Sequence, residues 1–224
     1  MIKQLTHLAK KTYTLCMQLI APAFCVACRL FLDDNTVLCD SCFAKLVPIV
    51  STQITVSGQN MLTVLAISDY VEPLRSLILA KHYSQRVAAK QLAYLIWRLS
   101  NLQHISFDYL VPVPLHWTRY AWRGYNQAEI IAQELSRLSG KKVAYIIKRK
   151  RRTLFQSLFT PQQRTDNVKN AFELTKLANE LYDNKTIVLV DDLITTGATL
   201  KSMAKEIGKL KPIRMYAVVA CRVL

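Results

Sequence analysis

The chain has 224 residues, 51% of them apolar and 20% charged, a balance that suits a globular core and excludes a disordered chain. Its 30 Lys and Arg outnumber its 15 Asp and Glu, and the net charge of +15 favours anionic partners: nucleic acids, nucleotide phosphates or anionic membranes. The apolar run at 15–32 approaches membrane-spanning length but contains Gln18, Pro22 and Arg29, so we expect no transmembrane segment and a cytoplasmic protein.

Residues 1–20 are predicted to form an amphipathic helix, because apolar side chains recur at helical spacing with lysines between them. The recurring apolar residues are Ile2, Leu5, Leu8, Leu15 and Leu19. We expect this helix to pack on its own protein; a membrane surface or a partner is the alternative.

Residues 21–50 are predicted to form a small zinc module. Cys25 and Cys28 make one Cys-x-x-Cys pair, and Cys39 and Cys42 make a second pair after ten intervening residues. Each such turn points two thiolates at one position, and two turns complete the tetrahedron that Zn²⁺ prefers. Because all four ligands are thiolates, the zinc would be structural and would replace a hydrophobic core in this short segment. Unliganded thiols or a redox pair are the alternatives.

The remaining residues, 51–224, alternate strands with helices, and the core of this domain is expected at about 105–224. Pro, Gly and Ser/Thr residues in 48–62 predict a linker or an irregular strand. The predicted strands cover 64–70, 109–113, 143–147, 186–190 and 215–220. One predicted helix is opened by Pro73, and the others cover 87–100, 126–139 and 198–210. This alternation predicts an α/β fold in which helices flank both faces of a parallel sheet.

Two acids and a Thr/Gly turn follow the predicted strand 186–190. Asp191 and Asp192 come first, and in open α/β sheets ligands bind at the carboxyl ends of such strands. The turn then offers main-chain N–H groups, hydroxyls and a helix N-terminus to a phosphate, and its glycine permits close approach. Its residues are Thr195, Thr196, Gly197, Ala198 and Thr199. The acids suit ribose hydroxyls, directly or through Mg²⁺. The alternative is an ordinary capped helix with solvated acids.

Two further segments combine basic and aromatic residues. The first, 116–127, interleaves aromatics with Arg119 and Arg123, and the second is a run of five cations. The run consists of Lys148, Arg149, Lys150, Arg151 and Arg152. Arginine can form two parallel hydrogen bonds to a phosphate group, and exposed aromatic rings can stack on bases. The segments therefore indicate either pyrophosphate capture by a closing loop or a groove for single-stranded nucleic acid. His116 is a candidate acid/base, a phosphate donor or a packed loop histidine.

The sequence Val190-Asp-Asp-Leu-Ile-Thr-Thr-Gly-Ala-Thr199 resembles the signature of type I phosphoribosyltransferases. The four cysteines, residues 111–116, residues 123–129 and the segment through Asn167 are similar to the ComF family, including ComFC and GntX-type proteins. This resemblance implies a type I phosphoribosyltransferase-like sheet, a pyrophosphate loop at 112–117 and a mobile loop at 148–167. Together with the residues above, this makes Asp191, Asp192 and His116 our candidate catalytic residues.

The resemblance also implies a role in natural transformation, in which the protein handles incoming single-stranded DNA in the cytoplasm. Phosphoribosyl pyrophosphate, Mg²⁺ and DNA-processing proteins are the implied partners. Two other functions stay open: an active phosphoribosyltransferase, amidophosphoribosyltransferase-like, and a regulator that senses the ligand without chemistry. No sequence feature identifies the acceptor that such a transferase would use.

Overall fold

The computed structural model describes residues 24–32, 38–46, 51–57, 60–79, 85–150, 170–178 and 180–223. The predicted helix at 1–20, Arg151 and Arg152 lie outside these residues. Within the described ranges, no helix combines the length and the apolar character that a membrane crossing requires.

The elements follow one another along the chain much as their apolar patterns predict. The strands are β1 (Thr52–Ser57), β2 (Asn60–Asp69), β3 (Tyr109–Pro112), β4 (Lys142–Val143), β5 (Ile147–Arg149), β6 (Phe172–Leu174), β7 (Thr186–Val190), β8 (Leu193–Ile194) and β9 (Arg214–Arg222). The α-helices are α1 (Asp40–Phe43), α2 (Leu74–Leu79), α3 (Gln85–Leu99), α4 (Trp117–Arg123), α5 (Gln127–Ser139) and α6 (Ala198–Ile207). Short 3₁₀ helices cover Asn101–His104, Glu180–Tyr182 and Gly208–Leu210.

The main sheet has the strand order β1-β2-β9-β7-β3-β4, and β8 pairs with the end of β9. β2, β9, β7, β3 and β4 run parallel to one another, which confirms the predicted parallel sheet, and β1 joins its edge antiparallel to β2. Because parallel strands present their carboxyl ends at one edge, the segments after β3 and β7 begin side by side. The register pairs Pro112 with Val190 at this edge.

Helices cover both faces of the sheet. In β7, Val188 and Val190 contribute to the apolar cluster that contains α3 and most of α5, whereas Ile187 and Leu189 contribute to the cluster that contains α6. Successive strand side chains point to opposite faces, so a strand covered on both sides needs an unbroken apolar run. The four residues are fully buried, which confirms that interpretation of 186–190.

Several local features refine or correct the predictions. The segment 48–62 contains β1, an antiparallel edge strand paired with β2, and a register irregularity between Thr55 and Ser57 agrees with the predicted irregular strand rather than with a linker. The predicted strand 143–147 is two strands, because the chain leaves the main sheet after β4 and β5 pairs with β6 in a separate two-stranded sheet. Helix α4 was not predicted, because its aromatic and arginine residues carry no apolar period.

The cysteine segment packs directly on the phosphoribosyltransferase-like part of the chain. Cys25, Leu32, Leu38 and Leu46 belong to the same buried cluster as α3. The two regions therefore share apolar contacts, while the predicted domain limits at 21–50 and 51–224 stay predictions.

Candidate functional site

The four cysteines of the predicted zinc module converge. Their Sγ atoms all lie within 4.8 Å of one another, and the Sγ atoms of Cys28 and Cys39 are 3.6 Å apart. Tetrahedral zinc with Zn–S bonds of about 2.3 Å would place sulfur atoms about 3.8 Å apart. Arg29, at a φ of 65°, reverses the chain after the first pair, and its N–H donates to the Cys25 carbonyl. These four sulfur atoms could hold a metal ion.

Electrostatics at the cysteine cluster agree with a bound cation. A hydrogen bond from the Ser41 hydroxyl, 3.1 Å away, and the Cys42 N–H lower the pKa of Cys39 to about 6. Burial raises the pKa of Cys42 to about 12, and the neighbouring thiols add to this effect. A bound metal ion would lower the raised pKa of Cys42, because coordination deprotonates the thiol. The donor set therefore fits a metal centre with thiolate ligands.

The acid pair follows β7, and main-chain hydrogen bonds to β9 hold it at the carboxyl edge. The Asp191 N–H donates to the Val218 carbonyl at 3.1 Å. The Asp192 carbonyl accepts from the N–H groups of Ala220, at 3.1 Å, and Cys221, at 3.3 Å. Both residues are half-buried, and each is held at the edge of the sheet by its backbone.

The Asp191 carboxyl has a perturbed pKa. Burial raises it well above its usual range, and the nearby Asp192 charge raises it further. A hydrogen bond from the Asp192 N–H to Asp191 Oδ1, at 2.9 Å, and the positive charge of Arg149 partly oppose this shift. A strongly perturbed carboxyl at the carboxyl edge of a parallel sheet is a candidate functional group, and its charged form would be stabilised by a bound cation.

The Thr/Gly turn leads from β8 into α6. Gly197 adopts a φ of 72°, in the left-handed region, directly before the first helical residue, Ala198. Ala198 donates its N–H to Thr196 Oγ1 at 3.4 Å. A Cβ on Gly197 would lie 2.7 Å from Ile54 Cδ1 of β1, so a side chain here would require both a left-handed φ and a shift of that methyl group. The predicted contact of Gly197 with phosphate, and those of Thr195 and Thr199, stay predictions.

The loop after β3 begins beside the acid pair, since the Val113 N–H donates to the Val190 carbonyl at 2.9 Å. The loop ends at His116, which is buried and caps α4: its Nδ1 accepts from the Thr118 N–H at 3.4 Å and lies 2.9 Å from Thr118 Oγ1. The structure thus gives His116 a capping role, and its catalytic role stays a prediction. α4 carries Arg119 and Arg123, whose side chains are outside the described part of the structure.

The basic run divides between two faces of β5. Lys148 Nζ lies 3.0 Å from Glu173 Oε1, and Lys150 Nζ lies 4.0 Å from Glu173 Oε2 on β6. Arg149 instead places its guanidinium 5.2 Å from the centre of the Phe172 ring, and its charge acts on Asp191. Successive side chains of a strand point to opposite faces. Arg149 therefore lies on the side of the acid pair, whereas Lys148 and Lys150 lie on the other side.

Two features near the site were missed by sequence reasoning. Arg222 Nε lies 2.8 Å from Asp69 Oδ1, which ties the ends of β9 and β2 together. A cleft of about 460 Å³ lies between the loop after β3, α4, α5 and β5, and Glu129 and Tyr145 are in its wall. Contacts between residues so distant in sequence leave no local pattern, although residues 123–129 did carry part of the family resemblance.

Comparison with known proteins gives consistent matches. A model of the phosphoribosyl transferase domain matches residues 121–223. Competence protein F of Haemophilus influenzae is 36% identical over 151 residues, 64% of this chain and 66% of that protein. DNA utilization protein YhgH of Escherichia coli K12 is 30% identical over 212 residues, 89% of this chain and 84% of that protein. Competence protein ComFC of Bacillus subtilis is 29% identical over 113 residues, 49% of this chain and 43% of that protein.

Proposed function

The chain belongs to the ComF family of proteins with a phosphoribosyltransferase fold, and we propose that it binds phosphoribosyl pyrophosphate and Mg²⁺ beside β7. The observation that supports this ligand is the position of Asp191 and Asp192. They follow a central parallel strand, next to the loop after β3 and ahead of a turn into a helix N-terminus. Such an edge is where open α/β sheets bind their ligands.

Each part of the ligand has a counterpart at this edge. Asp191 and Asp192 would hold the ribose hydroxyls, directly or through Mg²⁺, and residues 195–199 would hold the 5′-phosphate. Arg119, Arg123 and Arg149 would meet the pyrophosphate, whose charge needs several cations. The partly buried Asp191 fits a site for a divalent cation, and Mg²⁺ would supply charge neutralisation when the pyrophosphate departs. Zn²⁺ is the metal we assign to the four cysteines, in a structural role.

Isothermal titration of phosphoribosyl pyrophosphate with Mg²⁺ tests the binding site. Wild type is expected to bind, and Asp191→Asn/Asp192→Asn is expected to bind at least about tenfold more weakly because the charged ligands are lost. Asp183→Asn is the matched control, since this acid lies in the turn before β7, at the opposite edge of the sheet. Equal binding by wild type and the double variant would contradict the site.

An assay for pyrophosphate release separates the chemical alternatives. Release in the presence of an amine or nucleobase acceptor would establish an active phosphoribosyltransferase, with His116 then tested as an acid/base by His116→Gln. Tight binding without release would instead support a regulator that senses the ligand. The acid pair serves either function, because both need the ligand to be bound.

We also propose that the protein binds single-stranded DNA in the cytoplasm during natural transformation and acts there with DNA-processing proteins. The net charge of +15 and the outward positions of Lys148 and Lys150 support this function. The competence and DNA-utilization names of the similar proteins agree with it. Arg151 and Arg152, which continue the basic run, are assigned to the same surface as a proposal.

Fluorescence anisotropy with a labelled single strand tests this surface. Lys148→Glu/Lys150→Glu is expected to weaken binding and to flatten its dependence on salt, since each phosphate contact releases counterions. Lys205→Glu/Lys209→Glu, on and just after α6, makes the same charge change elsewhere and is expected to have a smaller effect. Equal weakening by both pairs would show that only total charge matters and would contradict a localised surface.

A further inference from the structure

The exposed side of α3 carries a line of basic residues. Arg86, Lys90 and Arg98 are exposed, and Tyr94 fills the remaining position of their four-residue repeat. Residues four apart lie on one side of a helix, and the line from Arg86 to Arg98 spans about 18 Å at the usual helical rise. We call these four residues the α3 ridge. The opposite side of α3 is buried in the core, so the ridge faces outward.

The charge of the α3 ridge is not neutralised within the described part of the chain. α3 contains no acidic residue, and none of the three cations of the ridge forms an ion pair with a described residue. The acids that line the clefts at the two ends of the ridge are Asp40 of α1 and Glu129 of α5. Unpaired cations at regular spacing favour an extended anion as the ligand.

Aromatic rings accompany these cations. Tyr94 is 41% exposed, and Arg98 orients it: Nη1 donates to the Tyr94 hydroxyl at 3.1 Å, and the guanidinium lies 5.7 Å from the ring centre. A cleft of about 220 Å³ separates this end of the ridge from helix α1 of the cysteine segment, and Phe43 and Tyr94 both line it. At the other end, Tyr125 lines a cleft of about 320 Å³ together with the first two cations.

The combination of cations and rings discriminates between anionic ligands. A DNA duplex or an acidic peptide would contact the cations, but neither offers an unpaired base to the rings. A single strand offers both, because its phosphates repeat along the backbone and its bases are free to stack on aromatic side chains. Its phosphates would follow the cations while one base enters the cleft between α3 and α1. The α3 ridge therefore suits a single strand.

We propose that the α3 ridge is a second contact surface for single-stranded nucleic acid, in addition to the lysines of β5. Phosphates bind Arg86, Lys90 and Arg98, and one base stacks on Tyr94 beside the cysteine segment. The inference rests on the proposed binding of single-stranded DNA and extends it to a different helix. Tyr120 lies in the wall of the cleft at the Arg86 end and also in the wall of the cleft beside β5, so one strand can reach both surfaces.

Fluorescence anisotropy of the full chain with a labelled strand of about 30 thymidine nucleotides, longer than one such groove covers, tests the cations. Arg86→Gln/Lys90→Gln/Arg98→Gln should weaken binding at least about tenfold at low salt. It should also reduce the slope of log affinity against log salt by about 2, since each phosphate contact on a single strand contributes about 0.7. An unchanged Tm would show that the variant is folded.

A matched control removes three charges at exposed positions away from α3, with the substitutions Lys141→Gln/Lys142→Gln/Lys205→Gln. Its effect on affinity and on the salt slope should be clearly smaller than that of the ridge variant. Equal weakening by the two triple variants would overturn the proposal, because only total charge would then matter.

The ring is tested by Tyr94→Ala, which should weaken binding of the single strand at least about fivefold, whereas Tyr94→Phe keeps the stacking face and the affinity. Binding of a duplex should not respond to Tyr94→Ala, because its bases are paired. Displacement of the strand by polyglutamate together with full affinity in Tyr94→Ala would identify a surface for acidic proteins and overturn the proposal. An RNA strand identifies the nucleic acid: equal affinity indicates any single strand, and weaker binding indicates DNA; both support the ridge.

The β5 variant Lys148→Glu/Lys150→Glu separates this inference from the proposed DNA-binding function. Additive losses in the β5 variant and the ridge variant would support two surfaces on one strand. A loss in the β5 variant with none in the ridge variant would overturn the ridge alone. Absence of single-strand binding in wild type would overturn both the proposed DNA-binding function and the ridge.

Discussion

Asp191 is half-buried, and its carboxyl group lies where a negative charge is electrostatically unfavourable. Burial and the neighbouring Asp192 raise its pKa, so in the folded chain it holds a proton more tightly than it would in the unfolded chain. The folded state therefore loses stability as the pH rises from the usual aspartate range to the raised pKa, and the cost stays constant above it. A cation-binding role would explain why this unfavourable carboxylate is present, because a bound cation would stabilise the negative charge of Asp191.

Asp191→Asn is therefore expected to stabilise the ligand-free protein. The amide removes the charge and retains an Oδ1 that can accept the Asp192 N–H. At pH 8, thermal unfolding of the variant should occur about 2–4 °C higher than that of wild type, which corresponds to about 1 kcal/mol in a chain of this size. The difference should shrink as the pH falls and disappear only below about pH 3, where the aspartate is protonated in both the folded and the unfolded state. A lower Tm for the variant at pH 8 would contradict the assignment, and Asp183→Asn is the control.

At the scale of elements, the turn before α6 depends on the edge strand β1. Gly197 is left-handed, and Ile54 Cδ1 occupies the position next to its missing Cβ. Any side chain at residue 197 must both adopt an unfavourable φ and displace Ile54. The candidate phosphate loop is thus shaped by a strand that lies well before it in sequence, outside the core predicted at 105–224.

A double-mutant cycle separates these two effects. Gly197→Ala should lower the free energy of unfolding by about 1–2 kcal/mol for the left-handed φ, plus a contribution from the contact with Ile54. Ile54→Val removes Cδ1, so in that background the same substitution should cost only the φ component. Urea unfolding measures all four proteins. Additive effects would show that the contact with Ile54 costs nothing.

In the β5–β6 ribbon, removal of one acidic residue is expected to strengthen the binding of single-stranded DNA. Glu173 lies near both Lys148 and Lys150, so it partly neutralises the surface proposed for single-stranded DNA. Glu173→Gln should therefore strengthen binding of a single strand by about two- to threefold at low salt and steepen its salt dependence. Glu206→Gln removes the carboxylate that pairs with Lys209 and serves as the control. Unchanged or weaker binding by Glu173→Gln would contradict the surface.

Elements with a long apolar pattern could be predicted from the sequence, and those defined by partners could not. β7 was evident because both of its faces are buried, and α5 because Ile131 and Leu135 repeat at helical spacing. β1 has only Ile54 and Val56 facing the protein, so its polar composition indicated a linker or an irregular strand without deciding between them. The acid pair and its turn were predicted as a local motif, whereas the position of Arg149 beside Asp191 depends on strand alternation and pairing that no local motif specifies.

At the scale of the whole molecule, the cysteine segment and the sheet domain are joined by a common core. Leu32 and Leu38 are buried with Leu92 and Ile96 of α3. A metal that orders the cysteine turns would therefore also hold these leucines against the helix. Loss of the metal should then destabilise the domain that carries the ligand site, because apolar side chains would become exposed on both partners.

Metal removal tests this connection. The purified protein is expected to contain one zinc ion per chain by elemental analysis. Chelation under reducing conditions should lower the Tm of the whole protein by at least about 10 °C, given the large binding free energies of structural zinc sites. Cys42→Ser should behave like the chelated protein, and Cys221→Ser, outside the cluster, should retain its zinc. An unchanged Tm after complete chelation would show that the cysteine segment is dispensable to the fold.

Arg149 lies over the Phe172 ring, lines the cleft between α4, α5 and β5 and places its charge near Asp191, so one guanidinium connects this cleft with the proposed cation site. An anion in the cleft that draws this charge away from Asp191 reduces the repulsion that a cation meets there. By thermodynamic reciprocity, a cation at Asp191 then promotes occupancy of the cleft by the same factor. The two sites would thus show heterotropic cooperativity without any contact between their ligands.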